Sequence, residues 1–148
     1  MIFETTGNIF DSTADWLVNP VNCAGAMGKG LAFKFRERYP SMYAYYKDEC
    51  LKRNIKVGKV NFWNNKSFVA PGIILFPTKQ HWSNPSKLEW IDSGLEYLNE
   101  SILGGFAENE SIAVPAIGCG YGGLDIADVK PLIYKWLDPV PNPVYLYL

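Results

Sequence analysis

The chain has 148 residues, 48% hydrophobic and 20% charged, which suits a soluble globular domain large enough for a real core. Its formal net charge of −1 argues against broad electrostatic adhesion to nucleic acid, though not against a local basic rim. No apolar run approaches the roughly 18 residues of a membrane helix, the charged N-terminus has no signal-peptide core, and Cys23, Cys50 and Cys119 lack zinc-ligand spacing.

In chain order, Met1–Phe3 forms a short opening strand and Gly7-Asn8-Ile9-Phe10 a turn beyond it. Trp16–Val21 is a buried strand. Leu31–Tyr39 places Leu31, Phe35 and Tyr39 on one helix face, and Pro40 ends it. Met42–Arg53 follows as a second helix with Met42, Tyr45, Tyr46 and Cys50 inward. Lys59–Trp63 and Lys66–Leu75 are expected strands around an Asn64-Asn65 turn, with Pro71-Gly72 marking an edge or a bulge. Pro77–Pro85 is a polar loop. Ser86-Lys87-Leu88-Glu89 has the spacing of a capping box, and Leu88, Ile91, Leu95, Leu98 and Ile102 continue at helical spacing until Gly104-Gly105. Ser111–Ala116 is a strand. Asp125 or Asp128 caps a last helix running to about Leu137, whose start Pro131 blurs, and Val144–Leu148 is the final strand. Alternating strands and helices, with no linker, repeat or low-complexity segment, predict one α/β domain over residues 1–148. The layers are α/β/α, around a largely parallel sheet.

Two glycine-rich loops dominate this pattern. Asn22-Cys23-Ala24-Gly25-Ala26-Met27-Gly28-Lys29-Gly30 follows one strand, and Gly118-Cys119-Gly120-Tyr121-Gly122-Gly123 follows another. Glycines let the backbone approach a ligand and aim N–H groups at an anion, and a helix starting beyond adds its own free amides. In α/β folds both loops fall at the carboxyl ends of the strands, where ligands bind. They predict a ligand with two phosphates, held from both sides. Neither loop is a nucleotide fingerprint of the common kinds. Leu31 stands where a Walker A loop needs lysine, and too little chain follows Gly123 for a dinucleotide-binding unit.

Outside the loops, Lys79 is either a solvated charge or a nucleophile aimed at a carbonyl carbon. His81, the only histidine, is surface polarity or a proton shuttle. Asn22 serves turn chemistry or orients a sugar. Tyr121 sits at the apex of its loop, ready to pack over a ribose. Lys29, Lys34, Arg36 and Arg38 suit the solvated face of a helix. Cys23 and Cys119 fit as small loop residues rather than nucleophiles, since no base lies nearby in sequence.

Leu17-Val18-Asn19-Pro20-Val21-Asn22-Cys23-Ala24-Gly25-Ala26-Met27-Gly28-Lys29-Gly30-Leu31-Ala32 resembles the first signature of macrodomains, and Val114-Pro115-Ala116-Ile117-Gly118-Cys119-Gly120 resembles the second. Phe76-Pro77-Thr78-Lys79-Gln80-His81-Trp82, followed by Ser86-Lys87-Leu88-Glu89, is similar to the branch holding terminal ADP-ribose glycohydrolase and the DarG antitoxins, and most of all to DarG macrodomains. The resemblance implies a macrodomain fold, with a mixed central sheet between helices, that binds ADP-ribose. By position, Asn22, Gly28 and Gly30 would face the distal ribose. Gly118, Gly120, Tyr121 and Gly122, with Ala116 and Cys119, would wrap the diphosphate, and Asn8 and Ile9 would meet the adenine. Many macrodomains carry aspartate where this chain has Asn8, so charge-assisted strength is lost there.

Lys79 matches the branch's catalytic lysine, with Asn22 orienting the ribose beside it. Terminal ADP-ribose glycohydrolase also uses an aspartate where this chain has Gly122, and Asp125 comes only later. This departure favours a DarG-like arrangement. The resemblance therefore implies an ADP-ribosyl hydrolase (an N-glycosyl hydrolase) acting on ADP-ribosylated DNA bases, without a cofactor or metal. DarG proteins carry a further domain that neutralises their toxin, and a free-standing, monomeric, cytoplasmic hydrolase is expected here. Two alternatives share the ligand. One is a phosphatase of ADP-ribose 1″-phosphate or a deacylase of ADP-ribosyl-glutamate or O-acetyl-ADP-ribose, where Gly7-Asn8-Ile9 and His81 would serve. The other is a non-catalytic ADP-ribose reader.

Overall fold

The computed structural model describes residues 1–64 and 71–148. In chain order the elements are β1 (Ile2–Thr5), a 3-10 turn (Ile9–Asp11), β2 (Trp16–Asn22), α1 (Gly30–Arg38), α2 (Pro40–Leu51), β3 (Asn61–Trp63), β4 (Gly72–Lys79), α3 (Leu88–Gly105), β5 (Ile112–Pro115), α4 (Ile126–Leu137) and β6 (Val144–Tyr147). Among the described residues they form a six-stranded sheet in the order β1-β6-β5-β2-β4-β3. All pairings are parallel except β3 against β4, so the sheet is mixed, with its antiparallel member at one edge.

Side chains alternate across the strands and divide the core in two. Val18, Ile74, Phe76, Val114 and Leu146 point to one face, where α3 and α4 cover them. Leu17, Val21, Ile73, Leu75 and Ala113 point to the other, under Phe35 of α1 and Met42 and Tyr46 of α2. The covering stripes follow helical spacing: Ile91, Leu95, Leu98 and Ile102 on α3, and Val129, Ile133 and Leu137 on α4. α3 comes close enough to β4 that a Cβ on Gly94 would lie 2.6 Å from the Phe76 ring.

Several sequence expectations are corrected. Pro71-Gly72 marks neither an edge nor a bulge: Gly72 begins β4 in regular register with Trp16, and β4 lies inside the sheet between β2 and β3. Glycine is required there because a Cβ would enter the Trp16 ring. β4 continues to Lys79, so Pro77 and Lys79 belong to a strand rather than a loop. Pro77 is tolerated because β3 pairs only with Ile73–Leu75 and ends before it. The Asn64-Asn65 turn and the first part of the expected 66–75 strand lie outside the described residues.

α2 ends at Leu51, two residues short of the expectation. Gly104 and Gly105 stay inside the last turn of α3 rather than closing it in the left-handed conformation. Ser86 does not cap α3. Lys87 is the N-cap, without a side-chain bond, because the Ser86 hydroxyl is drawn to the Thr78 carbonyl oxygen. Asp125 is the true cap of α4, accepting from the Ala127 N–H at 2.9 Å.

Candidate functional site

The carboxyl ends of β2, β4 and β5 open into a cleft of about 1060 Å³, with both glycine loops in its walls. The first loop is shaped by Asn22, at the end of β2. Its Oδ1 accepts from the Ala24 N–H at 2.9 Å, and its Nδ2 donates to the Ala26 carbonyl at 2.7 Å. The buried Tyr46 hydroxyl lies 2.7 Å from the Asn22 carbonyl and 2.8 Å from its Oδ1. Asn22 thus folds the loop and also lines the cleft, and among the described residues the second hydrogen of its amide has no acceptor. The loop then runs into α1, whose N-cap, Lys29, makes no side-chain bond. The N–H groups of Gly30, Leu31 and Ala32 begin the helix without intrahelical acceptors, and all three residues line the cleft. An uncapped helix start facing a cleft is an anion site.

The second loop supplies the opposite wall. Among the described residues the amides of Gly120, Tyr121 and Gly122 have no backbone acceptor. The loop folds back so tightly that a Cβ on Gly122 would meet the Gly118 carbonyl oxygen at 2.3 Å. An aspartate at 122 is therefore excluded by backbone contact in this loop conformation. The two loops touch through Tyr121. Its ring rests against Gly30, where a Cβ would lie 3.0 Å from it, and the Lys29 Nζ sits 5.5 Å from its centroid. Gly30 also has φ +59°, so glycine is favoured there twice over.

Lys79 ends β4 between these loops, and hydrogen bonds tie its segment to both. The Cys23 N–H donates to the Lys79 carbonyl at 3.0 Å, and the Ser86 N–H donates to the Gly122 carbonyl at 2.9 Å. The Lys79 Nζ donates to the Trp82 carbonyl at 3.2 Å and has no ion-pair partner among the described residues. Burial, and secondarily the charge of Lys29, lowers its pKa below the usual lysine value. Among the described residues the walls of the cleft carry two lysines and no carboxylate. Partly buried and facing like charge, with no ion-pair partner among the described residues, Lys79 gives up its proton more readily than an ordinary lysine.

The structure brings Asn22, Gly28, Gly30, Lys79, Ala116, Gly118, Gly120, Tyr121 and Gly122 around this one cleft. Other candidates lie elsewhere among the described residues. Ile9 is buried in the core. Asn8 caps the 3-10 turn, its Oδ1 accepting from the Phe10 N–H at 3.0 Å. The Cys119 thiol donates to the Ile117 carbonyl, and burial raises its pKa. Burial also pushes the Cys23 thiol up to about 11, which removes it as a thiolate near neutral pH. His81 is exposed and held by Ser83.

Lys29 is a correction. It leaves the solvated face shared by Lys34, Arg36 and Arg38 and lines the cleft instead, because it precedes α1 rather than lying on it. Trp82, Ser83, Asn84 and Thr78 line the cleft too. The signal for them in the sequence was their closeness to Lys79, with Thr78 and Trp82 inside the same motif. Among the described residues no His, Cys, Asp or Glu cluster could hold a metal, and no helix is long and apolar enough to cross a membrane.

Residues 18–133 match the family model of the Macro domain. The chain is 39% identical over 143 residues to a DNA ADP-ribosyl glycohydrolase of Mycobacterium tuberculosis, covering 96% of this chain and 40% of that protein. It thus spans about two-fifths of the length of the curated relatives it matches. The solved macrodomain of Mycobacterium tuberculosis DarG superposes with a TM-score of 0.94 at 38% identity, covering 99% of this chain and 97% of that one. Thermosipho africanus DarTG in complex with ADP-ribose superposes with a TM-score of 0.88 at 35% identity, covering 98% of this chain and 41% of that one.

Proposed function

This chain belongs to the macrodomain family, and on that premise we propose that it binds ADP-ribose and removes it from modified nucleobases in DNA. The observation that carries the reading is Lys79, an amine without a carboxylate partner on the wall of a cleft built from two amide-lined loops. The support from relatives is twofold: those similar along nearly the whole chain are named DNA ADP-ribosyl glycohydrolases, and one was solved with ADP-ribose.

The diphosphate lies between the start of α1 and the amides of Gly120, Tyr121 and Gly122, with Lys29 supplying positive charge. Each charge-assisted hydrogen bond of this kind is worth about 1.5–3 kcal/mol, so a few support micromolar binding after the costs of association. The distal ribose reaches toward Asn22, whose free amide hydrogen orients its hydroxyls, and its C1″ lies near Lys79. The neutral Nζ attacks C1″ and forms a C–N bond while the glycosidic bond to the base breaks. The base leaves with that electron pair and takes up a proton. Water then releases ADP-ribose from the lysine. Gly122, unable to accept a side chain, leaves this burden on Lys79. Three unpaired thiols fit a reducing, cytoplasmic setting.

The test offers thymidine-ADP-ribosylated single-stranded DNA, ADP-ribose 1″-phosphate and ADP-ribosyl-glutamate protein to wild type and to Lys79→Ala. Release from DNA should fall on the order of a hundredfold or more in Lys79→Ala, with ADP-ribose binding retained. Undiminished release would sink the lysine mechanism. Turnover of the phosphate alone would turn the reading to a phosphatase, and binding without any turnover to a reader.

A further inference from the structure

Trp82 is 55% exposed, and its backbone and ring each have a neighbour. Its carbonyl accepts from the Lys79 Nζ at 3.2 Å, so the indole's backbone is tied to the amine at the centre of the cleft. His81 packs beside the indole, ring centroids 4.8 Å apart and planes 35° from parallel. His81 is itself held: the Ser83 N–H donates to its Nδ1 at 3.2 Å, and the Ser83 Oγ lies 2.7 Å from the same nitrogen. Trp82 lines the cleft beside Ser83 and Asn84, and more than half of the residue's surface remains open. A large aromatic ring, anchored through its backbone, backed by a second ring and left exposed, is a stacking platform for a flat ligand. Within the cleft, the phosphate-binding groups are the loop amides and Lys29. The platform stands instead beside Lys79, where the leaving group of the reaction must lie.

We propose that Trp82 stacks on the nucleobase to which ADP-ribose is attached and so positions the glycosidic bond against Lys79. This inference rests on the reading of the cleft as a site for ADP-ribosylated DNA. Stacking uses the π-face that every base has, so the platform recognises a base as a class and leaves its identity to other groups. Trp82 acts before and beside the chemistry, on the base alone. ADP-ribose without a base has nothing for it to hold.

The experiment compares wild type, Trp82→Ala and Trp82→Phe. Three measurements are made: kcat and KM on an ADP-ribosylated single-stranded oligonucleotide, Kd for free ADP-ribose, and Kd for the same oligonucleotide carrying a non-hydrolysable ADP-ribose linkage, with Lys79 intact. Trp82→Ala should lower kcat/KM about tenfold or more, chiefly through KM, and weaken oligonucleotide binding to a similar extent. Affinity for free ADP-ribose should be unchanged, and Trp82→Phe should recover most of the loss. Unchanged oligonucleotide binding in Trp82→Ala overturns the proposal, as does an equal loss of affinity for free ADP-ribose. The binding arm needs no turnover. A wild type that binds the oligonucleotide but releases nothing therefore counts against the enzymatic reading, while the effect of Trp82→Ala on that binding still decides the role of the indole.

Discussion

Lys79 and Lys29 line one cleft with no carboxylate between them among the described residues, and burial first, then the charge of Lys29, lowers the Lys79 pKa. Only the neutral amine attacks carbon, and a lowered pKa raises its share near neutral pH. On this mechanism kcat/KM rises with pH until Lys79 is deprotonated, at an inflection below the ordinary lysine value. Lys29→Ala removes a nearby positive charge, so the Lys79 pKa goes up and the inflection should move to higher pH. A pH–rate profile on ADP-ribosylated DNA checks both statements, and a rate that falls as pH rises would assign Lys79 to act as an ammonium. Lys79 stood out in the sequence because a family motif surrounds it. Lys29 did not, because its charge merges with Lys34, Arg36 and Arg38 along the chain and separates from them only where α1 begins.

The site is held by the ends of elements, and the packing of those elements sets its precision. β4 delivers Lys79, and α3 braces β4 through the close approach of Gly94 to Phe76. A methyl group at Gly94 must displace that ring, so Gly94→Ala should destabilise the fold by about 1–3 kcal/mol despite the better helix propensity of alanine. Urea unfolding measures this, and an unchanged or higher midpoint would mean that the α3–β4 contact has slack. The apolar stripe of α3 was legible because it follows a fixed period, and β2 because it is a short, largely apolar run. The true course of β4 was not. Pro71-Gly72 and Pro77 usually punctuate strands, and the ring of Trp16 and the short reach of β3 make both acceptable here. The Ser86 spacing misled for a similar reason, since its hydroxyl finds a better partner on β4 than on its own helix.

At the scale of the whole molecule, a chain of net charge −1 places two of its lysines, Lys29 and Lys79, in one cleft, and on the proposed reading the diphosphate is held there. Binding to an ADP-ribosylated oligonucleotide should therefore depend only weakly on salt. A plot of log K against log salt between about 50 and 200 mM should have a slope no steeper than about −1, reflecting Lys29, the one cleft lysine that meets phosphate. A steeper slope would reveal a longer phosphate track across the surface. Unmodified DNA of the same length should bind far more weakly, since it lacks the diphosphate that the loop amides hold.

By itself the sequence determined the layered α/β architecture and the two glycine-rich loops at the strand ends, and its family resemblance singled out Lys79 as the reactive candidate. These follow from local spacing: strand and helix periods, glycine clusters, and a motif whose residues adjoin in the chain. Only the tertiary structure decided that Lys29 and Trp82 share the cleft, that Asn8 and Ile9 lie away from its walls, and that Gly122 admits no side chain. Each of those depends on the approach of residues distant along the chain, such as Lys29 to Tyr121 or Ser86 to Gly122. No local pattern encodes such contacts, because the sheet order that creates them is set by burial of the whole core.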